Sequence, residues 1–457
     1  MEKTIITDIE LSLETKSIKK LVWEYALPAI IGTITTALHS IIDRMFIGHG
    51  VSALAISGLG ITFPVMILTS SVGLLVGAGA TSRISLALGE KNKERAEQIL
   101  GNSLLLLIVL NIIVTAVFLL YLKPILMAFG ASELTYPYAR DYLQIIIPGN
   151  IFVSMCFSFN NMMRVSGYPK KAMYTMFIGA VCNVILTPLF IFGFGMGIRG
   201  TAVSTVIAMF VGLIFVMYHF VQPDSLIRLK MKYIRFNWTI IIAIVSIGLS
   251  PFLMQAAATL VAILMNTQLM KYGDELAVGA FSIYNSLAMV VVMVAVGLNQ
   301  GMQPIIGYNY GAKKYDRVKA TLFYGMKMAT IITSIGFILG MFLPQFLAYL
   351  FTTDPHLIGI TERGTRIAML AFPVIGFQIV ASSYFQSIGQ AKKSIILTLI
   401  RQILFLIPAL WILPNFFGLD GVWVANPVSD FVAAMVSIGF LIHQSKALNK
   451  LIDESKL

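Results

Sequence analysis

The sequence is short of charge. Of its 457 residues only 12% are Asp, Glu, Lys or Arg, about half the roughly 25% that covers a soluble domain, which excludes a water-faced globule. Acids are the scarcer sign: 21 stand against 33 Lys and Arg, for a net charge of +12. Cysteine is almost missing. Cys156 and Cys182 both sit in apolar runs, which excludes a disulfide framework and a thiolate metal cluster. The five histidines, at 39, 49, 219, 356 and 443, fall at no metal-ligand spacing, and no GxxxxGK[ST] loop occurs. The sequence therefore holds no recognisable metal site and no phosphate cradle for ATP-driven work. An embedded enzyme would need an acid/base pair or metal ligands at one depth, and none is visible, so no enzymatic activity and no cofactor are expected.

What the chain has in abundance is apolar residues, 58% of the total, with a mean hydropathy of +0.85. At about 20 residues per spanning helix, this is an all-α integral membrane protein. The long apolar runs predict twelve spans, at 21–47, 53–86, 98–122, 138–163, 171–194, 200–221, 237–270, 276–308, 320–349, 366–388, 394–414 and 421–443. The first run lacks a small-residue cleavage pattern and reads as a retained helix, not a signal peptide. Prolines 28, 64, 148, 188, 251, 304, 373 and 408 fall within or at the ends of the runs, where neighbours or water must satisfy the freed backbone groups.

Basic residues alternate between loops: 24 of the 33 lie in the two tails and in every second connection. By the positive-inside rule both termini are expected in the cytoplasm. In a membrane protein the +12 balance is a topology signal, and no nucleic acid partner is expected. Lys327 and Arg401 lie within spans, where snorkelling to the interface is the expected behaviour.

A repeat organises the chain. A shift of 222 residues lays Gly89 to Arg95 on Gly311 to Arg317, Gly167 to Ala172 on Gly389 to Ser394, Leu54 to Ile56 on Leu276 to Val278, and Gly79 on Gly301; a slip of one residue brings Pro28 onto Pro251. Six spans per half make the two copies parallel repeats. The expected division is a tail at 1–20, a first lobe at 21–221, a basic linker at 222–236, a second lobe at 237–443 and a tail at 444–457. Two such lobes suit alternating access around a central cavity, hence a transporter; a channel fits the repeat and broken helices less well.

An ionisable residue inside a span costs about 2.5 to 3.5 kcal/mol on insertion scales and needs a reason to persist. Asp43, beside Arg44, is the clearest case. It is either half of a local pair with Arg44 or a carboxylate that takes up H⁺ or Na⁺; adjacent helical residues diverge by about 100°, which disfavours the pair. His39, Asn160, Asn161, Asn183, Thr187, Ser204 and Thr205 gather in the same half, as cation ligands or as hydrogen bonds between helices. Asn183 and Thr187 share a helix face at i, i+4. The second half offers amides, with Asp430 its one mid-span acid, read as a packing or water-cavity residue. His39, Asn161, Gln255, Asn266, Asn285, Gln300, Gln303 and Gln378 are the candidates for lining a substrate cavity. The 24 Met and 30 Phe provide flexible and aromatic surface for flat cations, or ordinary packing.

Asp43 to Gly48, Gly297 to Ala312 and Arg164 to Gly167 with the paired lysines resemble the multidrug and toxic compound extrusion (MATE) family, in its bacterial MepA and DinF branch, over essentially the whole chain. The resemblance implies two six-helix lobes in the inner membrane and export of lipophilic, mostly cationic small molecules in exchange for H⁺ or Na⁺, by a monomer whose partners are those substrates and the lipid bilayer. It also implies a coupling site at Asp43, Asn160, Asn183, Thr187 and Thr205. Relatives commonly carry Asn-x-x-x-Asp-Pro in the fifth helix where this chain has Asn183 to Pro188 with Thr187 in place of the acid. Losing that charge weakens a Na⁺ site more than protonation of Asp43. Where another branch carries acids in its seventh and tenth helices, this chain has Gln255 and Ser382. The rival within the same superfamily is a flippase for lipid-linked precursors or polysaccharide, which requires a cationic cavity.

Overall fold

The computed structural model describes residues 11–50, 53–129 and 131–454, and no strand occurs among them. The order of elements runs through once and then again. In the first half, α1 (Ile18–Gly50) and α2 (Ala53–Gly89) lead into α3 (Lys93–Leu120) with the short α4 (Leu122–Ala128). Next come α5 (Tyr136–Val165), α6 (Pro169–Pro188), which passes into a π turn (Leu189–Gly193), and α7 (Ile198–Val221). The second half has α8 (Trp238–Tyr272), α9 (Glu275–Gly311), and α10 (Tyr315–Phe342) with the short α11 (Pro344–Tyr349). There follow α12 (Pro355–Ala368), joined through a 3₁₀ turn to α13 (Phe372–Ser387), then α14 (Ala391–Leu399), a π turn (Ile400–Leu406) and α15 (Ile407–Glu454).

Among the described residues eleven helical runs are long and apolar enough to cross a bilayer. The last, Ala391–Glu454, has 64 residues, about twice what a span with some tilt requires. It is interrupted at Gly418, where φ is 58° and ψ is −134°, and so provides two of the twelve passes. Gly197, which starts α7, has nearly the same angles, 56° and −133°. Only glycine holds that geometry without strain, and its recurrence 221 residues later marks the same corner in both copies. The repeat extends to Lys91 and Lys313, both at φ 57°.

Three boundaries differ from the hydropathy reading. The tenth pass starts at Pro355, because α12 carries Glu362, Arg363 and Arg366 on one side and is too polar to register as apolar; Asp354 caps it by accepting from the His356 N–H at 2.8 Å. The ninth pass ends in α10 at Phe342, and Pro344 opens the separate α11. The last helix continues past 443 to Glu454, so the expected C-terminal tail is largely helical. Of the expected N-terminal tail, residues 1–10 lie outside the described residues.

The described residues form two compact units, one of 31–255 with the preceding 11–16, the other of 17–30 and the helices from 256 to 454. The division cuts across α1 and α8. Within the second unit the start of α1 lies against α9 so closely that a Cβ on Gly297 would collide with Ile30, and one on Gly301 with Ala26. Within the first unit the start of α8 lies against α2 in the same way: Gly79 faces Ile244, and Gly248 faces Leu75. Such small-residue approaches replace the hydrophobic effect as the source of helix association in lipid. The segment 222–236 is tied to α3: Lys230 meets the buried Glu97 at 2.6 Å, the Tyr233 hydroxyl donates to Glu94 at 2.8 Å, and the Asn237 N–H donates to Asn102 at 2.8 Å.

A methyl group at Gly301 must displace the backbone of α1, whereas one at Gly439 meets nothing within 4 Å. Overpacking of this kind costs about 1–3 kcal/mol. Gly301→Ala is expected to lower the melting temperature of the purified protein in detergent, and Gly439→Ala to leave it unchanged.

Candidate functional site

In the first unit, α1 carries His39 and Asp43 four residues apart, on one face. His39 Nε2 lies 3.3 Å from Asp43 Oδ2, off the line of a hydrogen bond. From α6 come Asn183 and Thr187, also four apart and both fully buried, and from α7 come Thr201, Ser204 and Thr205. The Thr187 hydroxyl is the junction. It stands 3.2 Å from Asp43 Oδ1, 3.0 Å from Asn183 Oδ1 and 2.8 Å from Ser204 Oγ. Asn183 Nδ2 donates to Thr205 Oγ1 at 3.2 Å, and the Ser204 and Thr205 hydroxyls can both donate to the Thr201 carbonyl at 2.9 Å. Pro188 ends this stretch and opens the π turn; irregular turns of this type recur at functional sites.

A hydroxyl has one proton to give. With the Ser204 and Thr205 hydroxyls donating to Thr201, the single Thr187 proton faces two acceptors among the described residues, Asp43 Oδ1 and Asn183 Oδ1. A proton on the carboxylate would let Asp43 donate to Thr187 and leave the Thr187 proton to Asn183.

Four of the five expected cation-site residues, Asp43, Asn183, Thr187 and Thr205, thus come together, with His39 and Ser204 beside them. Asn160 is engaged elsewhere. Its oxygen accepts from Arg164 at 3.1 Å and its Nδ2 donates to the Ala172 carbonyl at 2.6 Å, while Asn161 accepts from the same guanidinium at 2.8 Å. Arg164 is buried, and two amide oxygens one turn back on its own helix help to solvate it. The side chain of Arg44 lies outside the described residues.

The remaining candidates are dispersed. Gln255 belongs to the first unit, and Asn266, Asn285, Gln300, Gln303 and Gln378 to the second. Asn266 and Asn285 are exposed, Gln255 and Gln300 half-buried. Gln303 Nε2 is buried with no acceptor among the described residues. Gln378 is committed to structure, donating to the backbone carbonyl of Asp430.

Arg401 does not snorkel. It is carried by the π turn before α15 and its Nε donates to Asp430, whose side chain is only 2% exposed. A carboxylate on the next helix is within reach, and each charge removes the reason for the other to be expelled. This pairing was not legible because the two residues are 29 positions apart and the π turn shifts the helical phase between them.

Breaking a buried pair from one side costs about 3–5 kcal/mol, whereas replacing both partners with apolar groups costs far less. Asp430→Asn is expected to give a large loss of thermal stability, and Arg401→Met with Asp430→Leu a smaller one, by melting in detergent.

Comparison with known proteins accords with this geometry. The MatE family model matches residues 28–189 and 250–412, two blocks whose starts are 222 residues apart, as the repeat requires. The multidrug export protein MepA of Staphylococcus haemolyticus is 26% identical over 445 residues, covering 97% of each chain. MepA of Staphylococcus aureus strain NCTC 8325 is 26% identical over 428 residues, covering 93% of this chain and 94% of the relative. A MATE crystallised in complex with MaD3S superposes with a TM-score of 0.90 at 25% identity, over 96% of this chain and 99% of the other. With both repeats matched and nearly the whole chain aligned, the protein belongs to the MatE family, the MATE class of membrane transporters.

Proposed function

We propose that this chain is a proton-coupled antiporter that exports lipophilic, mostly cationic organic compounds from the cytoplasm, with Asp43 as the group that takes up and releases the coupling proton. The observation that carries the reading is the single Thr187 hydrogen contested by Asp43 and Asn183. Protonating the carboxylate would turn Asp43 from acceptor to donor, and the rearrangement of hydrogen bonds that follows would give the two states different structures. A ligand shifts an equilibrium only through such differential interaction. His39, buried beside Asp43, adds a second group able to hold or pass the proton.

One feature favours H⁺ over Na⁺: Thr187 in place of an acid leaves Asp43 as the one formal negative charge of the cluster among the described residues. The substrate class rests on the relatives named multidrug export proteins and on the surplus of Met and Phe. The charge pattern of the loops supports cytoplasmic termini, and the chain acts as a monomer in this reading.

A flippase for a lipid-linked pyrophosphate would need free cations inside the protein. Arg164 and Arg401 are instead occupied by Asn160, Asn161 and Asp430, which favours the antiporter.

In proteoliposomes with a proton gradient or a Na⁺ gradient imposed separately, wild-type efflux of a cationic dye is expected to follow the proton gradient. Asp43→Asn should insert normally and lose at least nine-tenths of gradient-driven efflux; coupled transport at the wild-type rate by this variant would refute the role of Asp43. Thr187→Asp, which restores a second carboxylate, is expected to introduce Na⁺ dependence.

A further inference from the structure

The second unit has a groove of about 740 Å³ between α10 and α15, with Phe377 of α13 in its lining. Its lining positions on α10 begin at Phe323 and recur at i+3, i+4, i+7 and i+8; those on α15 begin at Ile438 with the same spacing. Each helix therefore presents one continuous stripe to the groove. The walls are apolar and open: Phe323 is 50% exposed, Ile438 46% and Ile442 54%.

Two charges interrupt this surface, Lys327 on α10 and Lys446 on α15. Both are exposed, and neither has a hydrogen-bond or ion-pair partner among the described residues. Two other cations of the spans are partnered: Arg164 by two asparagines, Arg401 by Asp430. The ends of the two helices are held together just beyond the groove, where Lys319 donates to Asn449 at 2.7 Å. Lys446 lies about one turn inside that link and Lys327 about two, so both flexible ammonium groups can reach the same mouth of the groove.

We infer that this groove binds an anionic phospholipid, its phosphate held between Lys327 and Lys446 and an acyl chain lying along Phe323, Phe377, Ile438 and Ile442. The combination of an apolar trough and two unpaired ammonium groups near a helix end is complementary to a phospholipid and to little else in a bilayer. A lipophilic cation, the class proposed for export, would be repelled by both lysines. A free inorganic anion would leave the apolar walls without an occupant. Bound in this way, the lipid bridges α10, α13 and α15. The last two carry Gln378 and Asp430, so the lipid braces the elements that enclose the buried ion pair.

The test is native mass spectrometry of the full chain in a neutral detergent, with phosphatidylglycerol or phosphatidylcholine of matched acyl chains added. Wild-type protein should retain phosphatidylglycerol preferentially and melt at a higher temperature in its presence. An exposed lysine near the membrane surface is worth about fivefold in affinity for anionic lipid, and two about thirtyfold. Lys446→Gln alone should lose the smaller factor and Lys327→Gln with Lys446→Gln the larger, together with the thermal shift. Lys392→Gln with Lys450→Gln, outside the groove, should lose neither. Equal retention of the two lipids by wild type, or phosphatidylglycerol binding by the groove variants at the wild-type level, would overturn the assignment, as would competition by a lipophilic cation.

Discussion

Hydrocarbon offers no hydrogen-bond partner, and this single constraint arranges every polar side chain in the spans. An unsatisfied group costs several kcal/mol there, so the protein must solvate its own buried charges. Arg164 is solvated by Asn160 and Asn161, which ties two turns of α5 to each other and, through Asn160 Nδ2, to the start of α6. Arg401 and Asp430 neutralise one another across α14, its π turn and α15. These groups have their partners and hold the helices in place. The cluster at Asp43 is different because one Thr187 hydrogen faces two acceptors, Asp43 and Asn183. In a low-dielectric interior such a choice carries more electrostatic weight than in water.

The internal repeat has preserved backbone far better than chemistry. The turn angles at Lys91 and Lys313, and at Gly197 and Gly418, agree closely, and so do the glycine contacts that seat α8 on α2 and α1 on α9. At the offset of 222 Arg401 corresponds to Gly179, and at the offset of 221 that matches Gly418 with Gly197, Asp430 corresponds to Met209. In the first unit α6 and α7 supply uncharged oxygens to Asp43, while in the second unit the corresponding helices enclose an ion pair. A pair closed on itself has no need of an external cation. The asymmetry leaves a carboxylate among uncharged oxygens in one copy of the repeat and one paired with a guanidinium in the other.

Much of this was legible in the sequence, for identifiable reasons. Spans are legible because the bilayer selects composition over some twenty residues at a time, and the repeat is legible because glycine and loop lysines hold backbone angles. Asn183 and Thr187 were legible as a pair because one helix turn fixes their relation. What spans more than one element was not: the capture of the Asn160 oxygen depends on which way Arg164 turns, and the pairing of Arg401 with Asp430 depends on a π turn that no periodicity announces. The passage of residues 17–30 into the second compact unit was equally hidden, since hydropathy reports that a helix spans but not what it packs against. The polar start of α12 was missed by a rule that looks for apolar runs.

Lys327 and Arg401 look alike in the sequence, each a lone cation several residues into a span, and they meet opposite fates. The difference is the distance to a carboxylate. For Arg401, Asp430 on the adjoining helix offers a charge-assisted hydrogen bond to a planar guanidinium that is easily desolvated. For Lys327 no acid is paired with it among the described residues, and its ammonium is a compact, strongly hydrated charge, so the stable solution is outward, toward the helix ends where Lys446 already stands. Two like charges brought to one mouth repel unless something negative lies between them. The bilayer supplies one molecule whose charge and apolar length match both the lysines and the trough behind them, and this is why the unpaired cation of α10 points to lipid where the paired cation before α15 points to structure.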